Sequence, residues 1–382
     1  MTGRKLHLVA AACTAVLLAA CGGGGGDEAP KAQVSRVVVA GDSLADVGTF
    51  SQKFTVRDSS TNAFFPVFPE IVSQNFGVSG MCAFYRFTGT TFTSAAGCTN
   101  YAVGGGRVFN PASNGGAAAP QNVPTQLAAA ATASGGWTAS DLIIVDGGGN
   151  DAADLVGAYL GAASGAAGVA AYQAFLAQQL DAATIGTLLP QSNGAALAAG
   201  AYMQKLADTY YNAIKANTLD RGATKVAVLD MPDITLTPRF QAVLGGVSRA
   251  GGAAAATALQ GAIRQWIDAF NAQLRARVGS DARVAVVPFN ADFTDEVTHA
   301  AQYGLTNATQ AACPVTGTDS SGLPTYNFLT CTSAALDAAP PTGLAAGWWR
   351  TWAFSDGFHP TPFGHQLLAA SVNRALARAG WL

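Results

Sequence analysis

Four short apolar runs, rich in β-branched residues, lie at intervals along the chain. They occupy 34–39, 142–145, 225–229 and 283–288. Their apolar positions are continuous rather than alternating, which is typical of strands buried on both faces of a parallel sheet. Glycines follow the first two runs closely and indicate tight turns where these strands end.

Longer stretches with apolar residues at helical spacing separate these runs. They lie at 195–216 and 255–278, and a last helix is expected after Thr361, which can cap it. Strands that alternate with helices predict an α/β fold, a three-layer α/β/α sandwich around a mainly parallel sheet. Segments 50–100 and 304–350 have few periodic runs, so we expect them to be loop-rich insertions around a cleft.

The N-terminus has the pattern of an export signal. Residues 1–20 carry two basic residues and then an apolar stretch without acids, too short to span a membrane, which predicts a signal peptide. The sequence Leu-Ala-Ala-Cys at 18–21 resembles the lipobox of bacterial lipoproteins. This resemblance implies cleavage before Cys21 and attachment of lipid to that cysteine, a membrane anchor.

A linker and one large domain are expected after the signal peptide. Residues 21–33 include five consecutive glycines and predict a flexible linker, and the domain then covers 34–382. Since Gly22 is not the aspartate that often retains lipoproteins at the inner membrane, we expect an outer-membrane lipoprotein, on the periplasmic face or the cell surface. Ordinary secretion, with Cys21 present by chance, is the alternative.

The composition narrows the class of protein. Of 382 residues, 49% are hydrophobic and 12% are charged, so the chain has enough apolar material for a sizeable core and is not a disordered polyelectrolyte. The 21 Lys and Arg are offset by 23 Asp and Glu, which argues against nucleic acid as a partner. The oligomeric state is left open.

Four cysteines remain within the predicted domain, an even number that predicts two disulfides in an exported protein. They are Cys82, Cys98, Cys313 and Cys331. Of the three possible pairings, that of sequence neighbours is the simplest. A zinc site is the alternative, but no Cys-x-x-Cys or His-rich spacing supports it.

Candidate catalytic residues lie at the ends of the predicted strands and just before the last predicted helix. Ser43 follows the first strand in a glycine-flanked turn, which exposes its Oγ as a nucleophile requires. A histidine base in the mature chain must be one of three. His359 has a carboxylate, Asp356, three residues upstream, which can fix its tautomer. We interpret His299 and His365 as exposed or packed histidines.

With these residues the chain resembles the GDSL esterase/lipase family of SGNH hydrolases. The family's blocks correspond here to Gly-Asp-Ser-Leu at 41–44, Asn-Tyr-Ala-Val-Gly-Gly at 100–105, Gly-Gly-Asn-Asp at 148–151 and Asp-x-x-His at 356–359. The resemblance implies an SGNH hydrolase-like fold. It also implies a triad of Ser43, His359 and Asp356, with the Ser43 N–H, the Gly105 N–H and the Asn150 amide in the oxyanion hole. Gly104 and Gly106 remain alternatives to Gly105.

The resemblance implies a serine esterase or lipase that acts on carboxylic esters, lipid-like or small, and needs no metal or organic cofactor. Two alternatives remain. The same fold can serve a polysaccharide O-acetyl esterase or an acyltransferase, or the protein can be a non-catalytic lipoprotein that binds a partner in the same cleft.

Two groups of aromatic residues lie at 64–68 and 348–352. We expect their rings to pack in the core, and lining an apolar acyl pocket is their alternative role.

Overall fold

The computed structural model describes residues 33–382. The predicted signal peptide, Cys21 and linker positions 21–32 lie outside the described residues. The strands are β1 Arg36–Ala40, β2 Tyr85–Phe87, β3 Phe92–Ser94, β4 Asp141–Val145, β5 Val226–Leu229, β6 Val284–Val287, β7 Asn307–Ala311, β8 Gly317–Thr318, β9 Pro324–Thr325 and β10 Trp352–Phe354. The α-helices are α1 Phe68–Asn75, α2 Val123–Ser134, α3 Gly149–Gly161, α4 Ala166–Leu176, α5 Ala182–Leu188, α6 Gly194–Asn217, α7 Pro238–Gly251, α8 Ala253–Val278, α9 Phe289–Thr298, α10 Ser333–Ala338 and α11 Pro362–Arg378.

The central sheet consists of β1, β4, β5 and β6 in that spatial order, and all neighbouring strands are parallel. These are the four apolar runs of the sequence, with bounds within two residues of those expected. An isolated parallel bridge between Val39 and Asn100 adds the 100–105 segment beside β1. Since the strands are parallel, their carboxyl ends lie at one edge, where loops can gather functional side chains.

Helices cover both faces of this sheet, which gives the expected α/β/α sandwich. Alternate strand residues pack with α2, α3, α6 and α8 in one large hydrophobic cluster. Helix α11 contacts β5 and β6 and contributes no residue to that cluster. It begins with Thr361 as N-cap, whose Oγ1 accepts a hydrogen bond from the Gly364 N–H.

The two segments expected to be loop-rich contain short elements. Residues 50–100 include α1 and the β2–β3 hairpin, and residues 304–350 include β7, β8, β9 and α10. Strand β7 pairs in parallel with β10, outside the central sheet. Among residues 33–382, no helix has both the length and the apolarity that crossing a membrane requires.

Both disulfides join sequence neighbours. Cys82 pairs with Cys98 and Cys313 pairs with Cys331, with Cα–Cα distances of 4.9 and 5.4 Å. Their thiols are therefore not free to ligate zinc, the alternative considered from the sequence. Cys313 and Cys331 belong to a small hydrophobic cluster, called here the insertion cluster, which also contains Val56, Ala312, Phe328, Leu336, Trp349 and Trp352.

The two aromatic groups of the sequence pack in the interior. Phe68, Trp349 and Trp352 are buried, while Phe64, Phe65 and Trp348 are half-buried against the insertion cluster. None of these six rings lines the cleft that contains Ser43. Core packing is therefore their role within the described part of the chain.

Candidate active site

Ser43 lies three residues after β1, in a turn that the sequence itself stabilises. The Asp42 carboxylate accepts a hydrogen bond from the Leu44 N–H at 2.9 Å, and the Ala45 and Asp46 N–H groups bond back to the Asp42 carbonyl. Such aspartate-capped turns compete well with regular structure. Ser43 is almost fully buried, with 4% of its surface exposed, yet it lines the cleft.

Three side chains from the two ends of the domain form one hydrogen-bonded chain. His359 Nε2 lies 2.7 Å from Ser43 Oγ, although 316 residues separate them. The other ring nitrogen, Nδ1, lies 2.8 Å from Oδ2 of Asp356. The structure thus brings together the three residues that the sequence suggested as nucleophile, base and orienting acid. In this arrangement the imidazole can accept the hydroxyl proton while the carboxylate stabilises the resulting charge.

Asp356 is held by the turn that precedes α11. Its Oδ1 accepts hydrogen bonds from the backbone N–H groups of Phe358 and His359, at 2.7 and 2.6 Å. Burial alone would raise the pKa of this carboxyl, but the His359 ring and these hydrogen bonds outweigh burial and hold the pKa of Asp356 below its usual range. Asp356 is therefore ionised at neutral pH, as an orienting carboxylate must be.

The glycine loop at 104–106 leaves one of its three backbone N–H groups without a partner among the described residues. The Gly104 N–H is taken by Asp46 Oδ2 at 2.8 Å, and the Gly106 N–H by the Val103 carbonyl at 2.9 Å. Within residues 33–382 the hydrogen bonds include none donated by the N–H of Gly105 or of Ser43. Gly105 lines the cleft beside Ser43 and has a φ of +75°, a left-handed conformation that favours glycine. Of the three alternatives, Gly105 is the one with an available donor.

Asn150 lies in the first turn of α3, directly after β4. Gly148 provides the N-cap with a φ of +99°, which a glycine adopts without strain. Nδ2 of Asn150 donates to the Gly106 carbonyl at 2.9 Å, while its next acceptor, Oδ2 of Asp42, is 3.5 Å away. One N–H of this amide therefore has no closer partner in the described residues than Asp42 Oδ2, and Asn150 lines the cleft together with Ser43 and Gly105.

Two buried carboxyls lie close to Ser43, that of Asp42 within the turn and that of Asp146 directly after β4. Asp146 Oδ1 accepts a hydrogen bond from the Asp42 N–H at 3.3 Å, and Asp146 Oδ2 is buried without a partner among the described residues. Burial raises the pKa of both groups, and the neighbouring Asp42 charge raises that of Asp146 further. The pair therefore retains a proton on Asp146 well above the usual pH range of an aspartate.

The cleft itself has a volume of about 320 Å³. Three aromatic rings surround the imidazole of His359, with ring centroids 4.9 to 6.0 Å from it: Phe54, Phe328 and Phe358. Sequence analysis did not single out these rings, nor the cleft residues Arg107, Asp154, Arg239 and Tyr326. Arg107 directly follows the glycine block, a position that could have drawn attention to it.

The other two described histidines lie elsewhere. His365 is fully buried in α11, and its Nδ1 accepts a hydrogen bond from the Phe68 N–H at 3.3 Å. Burial lowers the pKa of His365 to about 3, so the ring is neutral. His299 is exposed and lies 2.7 Å from the Asp295 carboxylate. Neither contacts Ser43, in agreement with their interpretation from the sequence.

Comparison with known proteins identifies a protein family that matches this chain. The family model described as GDSL-like Lipase/Acylhydrolase matches residues 37–372. Among solved structures, the chain is similar to an extracellular lipase from Streptomyces rimosus, with 17% sequence identity and a TM-score of 0.39. That match covers 89% of this chain and 99% of the lipase. No curated protein matches the chain.

Proposed function

Because the chain belongs to the GDSL-like lipase/acylhydrolase family, whose members hydrolyse esters, we propose that it cleaves carboxylic esters through an acyl-enzyme on Ser43. The observation that carries this proposal is the chain of hydrogen bonds from Ser43 Oγ through His359 to Asp356, at 2.7 and 2.8 Å. Nucleophile, base and orienting acid within hydrogen-bond distance are what such a mechanism requires.

In the proposed acylation step, His359 Nε2 takes the proton of Ser43 as Oγ attacks the ester carbonyl. The carbonyl oxygen becomes an oxyanion, which the N–H groups of Ser43 and Gly105 and the Asn150 amide stabilise. Each such donor is worth about 3 kcal/mol of transition-state stabilisation. His359 then protonates the leaving alcohol, and Ser43 retains the acyl group.

In the proposed deacylation step, His359 removes a proton from water, which attacks the acyl-enzyme carbonyl. As the bond to Ser43 breaks and the acid leaves, His359 returns the proton to Ser43 Oγ. The Asp356 carboxylate stabilises the imidazolium in both steps because its pKa is lowered and it remains ionised. If an alcohol rather than water enters, the same residues transfer the acyl group, so acyl transfer is the second outcome to be tested.

Replacement of the nucleophile tests the proposal. Ser43→Ala is expected to reduce kcat for p-nitrophenyl butyrate by roughly 10⁴-fold or more, since the covalent step is lost. Ser73→Ala is the matched control, because Ser73 is equally buried but donates to the Val78 carbonyl away from the cleft. Turnover that persists in Ser43→Ala would reject the acyl-enzyme. Absence of turnover in the wild-type protein on all esters would favour the non-catalytic lipoprotein.

A series of p-nitrophenyl esters from acetate to palmitate distinguishes the substrate classes. An optimum above acetate supports a lipid-like ester as substrate. Activity confined to acetate supports the O-acetyl esterase, and ester products formed with added alcohol support the acyltransferase.

We also propose that Cys21 is lipidated and holds the protein on the outer membrane. The Leu-Ala-Ala-Cys sequence at 18–21 and the glycine-rich linker support this. Growth with radiolabelled palmitate should label the wild-type chain, and Cys21→Ser should abolish both the label and recovery in the membrane fraction. A Cys21→Ser protein that still sediments with membranes would contradict the anchor.

A further inference from the structure

Arg107 joins the two segments that contain the proposed oxyanion donors. Its Nη1 donates to the Gly105 carbonyl at 2.6 Å, while Nε and Nη2 form a bidentate pair with Asp154 at 2.6 and 3.1 Å. Asp154 lies on α3 one helical turn after Asn150, so both side chains lie on the same face of that helix. One guanidinium thus contacts both the glycine loop and the helix that positions Asn150.

The backbone of Arg107 is itself fixed. Its N–H donates to the Gln121 carbonyl and its carbonyl accepts from the Val123 N–H, both at 2.8 Å. The guanidinium therefore extends from a rigid backbone, and its planar group with five donors can satisfy a carboxylate and a carbonyl at the same time.

The orientation of the Gly105 N–H depends on how the backbone on either side of it is held. Glycine at a φ of +75° can readily adopt other backbone conformations, and rotation about its N–Cα bond would reorient the Gly105 N–H relative to the Gly105 carbonyl. The Gly105 N–H belongs to the peptide formed with the Gly104 carbonyl, and Asp46 holds the peptide before that one through the Gly104 N–H. The peptide after it is held at both ends, because Arg107 donates to the Gly105 carbonyl and the Gly106 N–H donates to the Val103 carbonyl. Among the described residues, Arg107 is the donor that binds the Gly105 carbonyl.

We propose that the Arg107–Asp154 ion pair is a positioning unit for the oxyanion hole, which fixes the Gly105 N–H relative to the Asn150 amide. This inference rests on the proposed function, because it assigns a role within the same site. A displacement of about 1 Å at a reacting centre can cost 10²-fold in rate, so loss of the pair acts on kcat rather than on substrate binding.

Arg107→Met tests the unit, since methionine retains most of the apolar stem but has no donor. We expect kcat for p-nitrophenyl butyrate to fall 10- to 100-fold with KM within threefold of wild type. Arg107→Lys should recover part of kcat, because one ammonium can reach the Gly105 carbonyl without bidentate pairing. Asp154→Asn should reduce kcat by less than Arg107→Met. The affinity of a trifluoromethyl ketone, which forms an oxyanion on Ser43, should fall in parallel with kcat.

Arg36→Met is the matched control. Arg36 also forms a bidentate pair, with Asp141 at 2.7 Å for both bonds, but β1 places it at the opposite end of the sheet from Ser43. Its loss should lower the melting temperature as Arg107→Met does, without lowering kcat.

Three results would overturn the inference. They are a kcat of Arg107→Met within threefold of wild type, a loss confined to KM, which would make Arg107 a substrate contact, and an equal loss of kcat in Arg36→Met. If Arg107→Met does not fold, Arg107→Lys and Asp154→Asn decide by the same criteria. Failure of the proposed function is distinguishable, since it would show in the wild-type protein as absent turnover or as turnover that does not depend on Ser43.

Discussion

A methyl group added to Gly41 would place its carbon 1.3 Å from Oδ1 of Asp146. The end of β1 thus approaches the end of β4 so closely that only glycine fits. Gln126 holds the Gly41 backbone in this position, because its side chain accepts a hydrogen bond from the Gly41 N–H at 2.7 Å and donates one to the Gly41 carbonyl at 3.0 Å. The position of Ser43, two residues later, depends on this close approach.

Gly41→Ala is therefore expected to lower both stability and activity. Overpacking of this kind costs about 2 kcal/mol in the free energy of unfolding, and the backbone shift that relieves it moves Ser43 away from His359. Urea unfolding and kcat measure the two effects. Gly157→Ala is the matched control, since Gly157 is exposed in α3 with open space around it, and alanine there should stabilise by about 0.5–1 kcal/mol. Full activity in Gly41→Ala would contradict the proposed dependence.

Asp356→Asn tests the orienting carboxylate. The asparagine oxygen can still accept from the Phe358 and His359 N–H groups, but its NH₂ would face Nδ1 of His359 and favour the wrong tautomer. We expect kcat to fall by roughly 10⁴-fold while the melting temperature changes little. A kcat within tenfold of wild type would show that His359 needs no carboxylate partner.

The Glu296 carboxyl is expected to make the free energy of unfolding depend on pH. Burial and, to a smaller extent, the charges of Asp292 and Asp295 raise the pKa of this α9 carboxyl to about 7 against the opposing effect of Arg374. A carboxyl whose pKa is higher in the folded state than in the unfolded state contributes stability below pH 4.5. That contribution is lost as the pH rises through about 7. Glu296→Gln keeps the neutral form at every pH.

The free energy of unfolding of Glu296→Gln should therefore exceed that of wild type by an amount that grows between pH 5 and pH 8.5. Urea unfolding at the two pH values measures this difference. Asp268→Asn removes one negative charge from an exposed position of α8 and controls for the change in net charge. A difference independent of pH would mean that the Glu296 carboxyl titrates normally in the folded protein.

The Cys313–Cys331 disulfide stabilises one wall of the cleft. The loop that it closes contains Tyr326, which lines the cleft, and Phe328, whose ring lies 5.6 Å from that of His359. Replacing both cysteines with serine should cost about 3 kcal/mol in the free energy of unfolding and should also lower kcat/KM. The Cys82→Ser/Cys98→Ser variant should lose similar stability with less effect on kcat/KM. Equal kinetic losses in the two variants would contradict this difference.

The strands and the longest helices were predictable from sequence because their patterns are local. The β4 run is apolar throughout, the β1 run is apolar from Val37 onward, and glycines follow both closely. The bounds expected for α6 differ from the structure by one residue at each end. The sequence left 161–171, which overlaps α4, open between a small-residue helix and a flexible loop, and it did not predict α5. Their alanine- and glycine-rich sequences have little contrast between apolar and polar positions, so periodicity carries almost no signal there.

The residues of the candidate site also divide into those that a local sequence motif predicts and those that only the folded structure brings together. Ser43, Asn150 and His359 stand in short motifs that can be read from the sequence alone. Arg107 does not, because its contact with Asp154 joins positions 47 residues apart and exists only once the glycine loop has packed on α3. Of the rings around His359, Phe54 and Phe328 come from the two insertions, whose paths the sequence does not specify.

The separation of 316 residues between Ser43 and His359 has a consequence for biosynthesis. The serine leaves the ribosome long before the imidazole, which follows it by 316 residues together with the turn that orients it. A nascent or C-terminally truncated polypeptide therefore has the hydroxyl without its proton acceptor. Ester cleavage by the proposed mechanism can begin only after His359 has left the ribosome and helix α11 has packed on the sheet.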